Sequence, residues 1–175
     1  MIPEIQTILY CTNLGPEAAH VFRYAISQAQ HYKAVIHILH VAEPLSPFAK
    51  GLVEQYITSD ERESIQTKSK NYVLERIKKR IANFCEKETC NLLEGNKIIH
   101  GISVLEGQPL ETILSTANDI QADLIVIGCH RRWHLASSGI LGSTARKVVN
   151  TSTIPVLTVF TPEEKMENLD EEQVG

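Results

Sequence analysis

Cysteine is scarce in this chain of 175 residues, and the four present, Cys11, Cys85, Cys90 and Cys129, are irregularly spaced. Cys85 and Cys90 lie five apart, which is not the C-x-x-C of a redox or zinc site, so all four read as reduced thiols. Apolar runs are short, and none approaches the roughly 18 residues a membrane helix needs. The opening Met1-Ile2-Pro3-Glu4-Ile5 has no basic segment leading into an apolar one, so it is not a signal peptide and the expected location is cytosolic. Positive charge is also in short supply. The net charge of −4 is uneven: residues 161–175 hold Glu163, Glu164, Glu167, Asp170, Glu171 and Glu172 against Lys165 alone. The other 160 residues balance 16 basic against 15 acidic side chains. A near-neutral body excludes a nucleic-acid surface, which needs concentrated positive charge. Both common phosphate-binding strings are missing too, the G-x-x-x-x-G-K-[ST] loop and the dinucleotide G-x-G-x-x-G.

What is present is an alternation of apolar strands and amphipathic helices. Thr7–Cys11, Ala34–Val41, Lys97–Val104, Leu124–Ile127 and Ile154–Phe160 read as strands. Between them, apolar positions recur at helical spacing: Ala18, Phe22, Ala25, Ile26 and Ala29; then Val73, Ile77, Ile81, Phe84 and Cys85 within a long helix over 60–88. Leu110, Ile113, Leu114 and Ala117 mark a third helix, and Leu141, Ala145, Val148 and Val149 a fourth over 143–150. Residues 45–60 show no period and read as a loop with a short helical piece. Continuously apolar strands in βαβ order predict an α/β fold, a five-stranded, mainly parallel sheet with helices on both faces. One domain over 1–161 with a loose acidic tail over 162–175 is expected, and ligands belong at the carboxyl ends of the strands.

The stretch "GCHRRWHLASSGILGSTARKV" follows the fourth strand. Gly128, Gly139 and Gly142 let backbone approach an anion, and Ser143 and Thr144 stand at a helix start, where free N–H groups favour one. The same residues could simply turn the chain and cap the helix. His130 and His134 beside Cys129 raise a metal site, but four-residue spacing serves that purpose on a helix and this stretch reads as loop. Cys129 would be a reactive thiol if Arg131 and Arg132 lowered its pKa. Trp133 reads as a plug or packing aromatic. His37, His40 and His100 fall in strands, as hydrogen-bonded core or sheet-edge histidines. Ser137, Ser138 and Ser143 have no ordered His and Asp partners for nucleophilic catalysis.

Two blocks, "ILYCTNLGPEAAHVFRYAISQAQHYKAVIHILHVAEP" and "ADLIVIGCHRRWHLASSGILGSTARKVVNTSTIPVLTV", closely resemble the universal stress protein family. The resemblance implies a Rossmann-like sandwich of the adenine-nucleotide alpha-hydrolase type. It also implies a homodimer formed through the edge strand Pro155–Phe160, with ATP or AMP bound by some members and not by others. Binding members carry G-x2-G-x9-G-[ST]. Gly128 and Gly142-Ser143 match it, but Arg131 replaces the second glycine and ten residues, not nine, separate it from Gly142. Asn13 stands where such proteins often have an aspartate on the sugar side. Val41 is implied as a backbone partner for adenine. The resemblance thus assigns Thr12, Asn13, Val41, Gly128, Arg131, Gly142, Ser143 and Thr144 to nucleotide, with magnesium entering only alongside it. The expected function is a non-enzymatic stress-response protein that contacts an unidentified client. The alternative is a nucleotide-free dimeric interaction module with Arg131 and Trp133 filling the cleft. Slow ATP hydrolysis ranks third, because no general base or well-formed magnesium site is evident.

Overall fold

Strands β1 (Thr7–Cys11), β2 (Val35–Ala42), β3 (Ile99–Glu106), β4 (Leu124–His130) and β5 (Val156–Thr161) form one parallel sheet in the computed structural model, in the order β3-β2-β1-β4-β5. Helices α1 (Ala18–Tyr32), α2 (Arg62–Thr89), α3 (Pro109–Asp119) and α4 (Ser143–Thr151) connect them. The structure describes residues 2–44, 62–90, 98–130 and 143–161. The expected 45–60 loop and the acidic tail over 162–175 lie outside them.

Period-two alternation sorts each strand's side chains between two cores. Ile8, Tyr10, Ile36, Ile38, Leu124 and Val126 face α1 and α2, where Phe22, Ala25, Ile26, Ile81 and Cys85 are buried with them. Leu9, Cys11, Leu39, Ile125, Ile127 and Cys129 face α3 and α4, against Ile113, Ala117, Ala145 and Val148. Among the described residues, the helical stripes legible in the sequence are these buried faces. Val149 is the exception, because the α4 face it was assigned to turns it outward. Thr116 is buried on α3 although its hydroxyl gave no apolar signal.

Boundaries moved for physical reasons. β4 runs three residues past the apolar segment that marked it, because Gly128, Cys129 and His130 pair with Val159, Phe160 and Thr161. β5 begins at Val156 and not Ile154. Pro155 has no N–H to give, yet its carbonyl accepts the Ile125 N–H at 2.9 Å. β5 lies at a sheet edge, as a strand preceded by proline should.

The amino ends of the two central strands are fastened by one carboxylate. Asp123 Oδ2 accepts the N–H groups of Gln6 at 2.8 Å and Thr7 at 2.9 Å, and the Asp123 N–H donates to the Thr7 carbonyl at 2.8 Å. The chain order reverses direction between β1 and β4, so the carboxyl ends of these strands flank the crevice where open α/β sheets hold ligands.

Candidate functional site

Strand pairing sets the level of each candidate group. Cys11 pairs with Leu39 on β2 and Ile127 on β4. Thr12 and Asn13, Val41, and Gly128 therefore arrive at the same sheet edge from three neighbouring strands. α4 begins at Ser143, so Ser143 and Thr144 form its first turn, with N–H groups that have no partner within the helix. Arg131, Gly142, Trp133 and His134 lie outside the described residues.

The loop after β1 is built from short local bonds. The Thr12 N–H continues the ladder to the Leu39 carbonyl at 2.9 Å. Thr12 Oγ1 then accepts the Leu14 N–H at 3.1 Å, and Asn13 Oδ1 accepts the Gly15 N–H at 2.9 Å. These two turns hold Leu14 at a φ of 59° and deliver the chain to α1, where the Ala18 N–H meets the Gly15 carbonyl at 3.1 Å. The Tyr10 hydroxyl donates to the Ala18 carbonyl at 2.9 Å and pins the helix start to the strand. Asn13 Oδ1 gives one lone pair to the turn, and the exposed side chain also offers the Nδ2 amide, a donor suited to a hydroxyl or phosphate oxygen.

His40, expected as a hydrogen-bonded strand histidine, shapes this edge. Its Nδ1 lies 2.8 Å from the Thr12 carbonyl, and since a carbonyl only accepts, Nδ1 carries the proton. Successive strand residues turn their backbone groups to opposite neighbours. The Leu39 carbonyl faces β1, and the Ala42 carbonyl faces the other side, accepting the Gly107 N–H at 3.2 Å. Val41, two past Leu39, consequently turns its N–H and carbonyl toward the β1 side, at a level β1 has already left. The neighbouring Thr12 carbonyl is taken by His40. A flat ligand with one donor and one acceptor along an edge fits that backbone pair.

Gly128 has a role independent of any ligand. A Cβ there would lie 2.9 Å from Val21 Cγ2, so the glycine is what lets α1 approach β4. Cys129 is also structural. It is 1% exposed, its Sγ lies 3.6 Å from the Val159 carbonyl, and burial pushes its thiol pKa up, against the reactive-thiol expectation. Burial likewise raises Cys11 and Cys85 to about 12, and all four cysteines are free thiols. Among the described residues no three His, Cys, Asp or Glu side chains gather in a metal site, and no helix is long and apolar enough to cross a membrane.

Comparison with known proteins agrees with this architecture. The stress response protein NhaX of Bacillus subtilis (strain 168) is 45% identical over 58 residues, covering 33% of this chain and 34% of that protein. The universal stress protein Sll1654 of Synechocystis is 43% identical over 54 residues, covering 31% and 34%. The matched stretch thus spans about a third of each curated relative. Among solved structures, the hypothetical protein MJ0577 superposes with a TM-score of 0.65 at 22% identity, covering 93% of this chain and 100% of that one. A universal stress protein in complex with cAMP gives 0.59 at 19%, covering 90% and 98%. At these identities the likeness is one of fold. The model of the universal stress protein family matches residues 4–159, and this chain belongs to that family.

Proposed function

We propose that this protein binds an adenine nucleotide, ATP or AMP, at the carboxyl edge of β1, β2 and β4. It acts there as a cytosolic, non-enzymatic stress-response protein whose bound state tunes its homodimer or its contact with a client. The observation that carries the reading is the backbone pair of Val41, turned toward space that β1 has vacated, beside the outward amide of Asn13. In this arrangement Val41 reads the adenine edge, Thr12 and Asn13 meet the sugar, and the first turn of α4 at Ser143 and Thr144 receives phosphate. Gly128 near the end of β4 and Gly142 further along the chain join this site, and Arg131 serves it as a guanidinium clamp on phosphate. The cAMP complex of a protein sharing this fold supports the ligand class. An amide at position 13 offers magnesium no charged oxygen, so the ion enters only with the nucleotide's own phosphates. The domain spans 1–161, and 162–175 form an acidic appendage to it.

The homodimer would form through β5. This edge strand leaves backbone groups along one side without a sheet neighbour, and Phe160 is 43% exposed on it. Light scattering at micromolar concentration should give twice the monomer mass, and a monomer alone would contradict it.

One observation favours the second reading, a nucleotide-free dimeric module with Arg131 and Trp133 in the cleft. The contact with Val21 accounts for Gly128 without any phosphate. Mass and ultraviolet spectra of the supernatant from the denatured, freshly purified protein separate the two. A released adenine nucleotide supports the first, and its absence together with no heat on ATP titration leaves the second.

A further inference from the structure

Away from the crevice, β2 and β3 fall out of register at one place. Ile36 pairs with Ile99 but His37 with Gly101, so β3 carries one extra residue there, His100. Such a bulge re-aims a side chain that regular alternation would send elsewhere. Here the ring centroids of His37 and His100 stand 4.9 Å apart with their planes at 49°. Gly101 completes the arrangement, because a Cβ at that position would lie 3.1 Å from His37 Nδ1. The bulge and the missing side chain both serve to bring two imidazoles together.

Their spacing is that of two ligands on one ion. A metal–nitrogen bond of about 2.0–2.1 Å places each ring centre roughly 3.2 Å from the metal. At bond angles between square and tetrahedral, two such centres are roughly 4.5–5.2 Å apart. The observed separation falls inside that range. His100 is exposed and His37 half-buried, so an ion can reach the pair from solvent. Burial, and secondarily the neighbouring His100, hold His37 below the usual imidazole pKa. His40 takes no part. It lies on the opposite face of β2 by alternation, and its Nδ1 is committed to Thr12.

We propose that His37 and His100 form a binding site for a first-row divalent transition-metal ion of the nitrogen-preferring class, with water completing the coordination. Among the described residues no third His, Cys, Asp or Glu joins them. A two-imidazole site of this kind ranks Cu2+ above Ni2+ and Zn2+.

The test is titration of the full-length chain with Cu2+ alone in a non-coordinating buffer, read by paramagnetic resonance for nitrogen coupling and by absorbance for affinity. One Cu2+ should bind with nitrogen ligation. His37→Gln and His100→Gln should each weaken it by at least about tenfold, the lower bound for losing even an outer partner of a metal ligand. His31→Gln, at an exposed histidine on α1, should leave it unchanged. His100 is exposed, so its variant keeps the fold, which an unchanged thermal midpoint verifies. Absence of Cu2+ binding by the wild type, or equal affinity in His100→Gln, would overturn the proposal and leave the pair as a ring contact only.

Discussion

At its amino end β1 is held by a carboxylate 116 residues away in sequence, whereas its carboxyl end is held by a hydroxyl, an amide and an imidazole from its own loop and from β2. The first arrangement ties β1 to β4 with charge-assisted bonds and leaves no opening between them. The second satisfies the loop with neutral bonds and turns Val41's backbone outward. In the proposed reading, fold and function are thereby divided between the two ends of the same strands. One end carries stability, and the other carries polar groups left for a ligand.

The largest expected effect breaks the first end. Asp123→Ala removes the acceptor for two backbone N–H groups and should cost about 2–3 kcal/mol, the scale of hydrogen bonds to a charged group. Urea unfolding measures it, and a loss below about 0.5 kcal/mol would deny Asp123 this role. Gly128→Ala comes next, at about 1–3 kcal/mol for overpacking against Val21. Pairing it with Val21→Ala should recover part of that cost, since the two sites then no longer collide. A glycine needed only for phosphate would make the single variant neutral in stability.

A smaller effect concerns pH. The native state holds His37 below its ordinary pKa of 6.5, so on acidification the unfolded chain takes up its proton first. Stability is therefore unaffected by this group above about pH 6.5 and falls as the pH drops through that value. The thermal midpoint should decline less between about pH 7.5 and 5.5 in His37→Gln than in the wild type. An identical decline would remove His37 from the account. Smallest is the Arg23–Glu88 pair, which joins α1 to α2 through Nε–Oε2 at 2.8 Å and Nη2–Oε1 at 3.3 Å. Arg23 is 66% exposed, so Glu88→Gln should cost no more than about 0.5 kcal/mol.

The sequence was most legible where one residue decides one thing. Continuous apolar runs located five strands, and helical spacing located the faces of Phe22, Ile81 and Ile113. At Gly128 a chain breaker and a packing glycine look alike until the facing residue, Val21, is known. The Asp123 clamp and the partner of the His40 bond were invisible for the same reason. Each joins residues distant in sequence, and only the sheet order brings them together. The resemblance supplied the site positions, but not that Asn13 Oδ1 accepts a bond within its own turn. Arg131, the position where the loop departs most from the family pattern, lies outside the described residues.

Calorimetric titration of the full-length protein with ATP, beside Arg131→Ala and Arg131→Gly, tests the nucleotide reading most directly. The account predicts binding by the wild type and a loss of about 1.5–3 kcal/mol in Arg131→Ala, for one charge-assisted hydrogen bond to phosphate. That is roughly tenfold or more in affinity. Stronger binding by Arg131→Gly than by the wild type would mean that Arg131 fills the cleft instead of clamping phosphate. No heat from any of the three proteins would contradict nucleotide binding altogether and leave the dimeric interaction module.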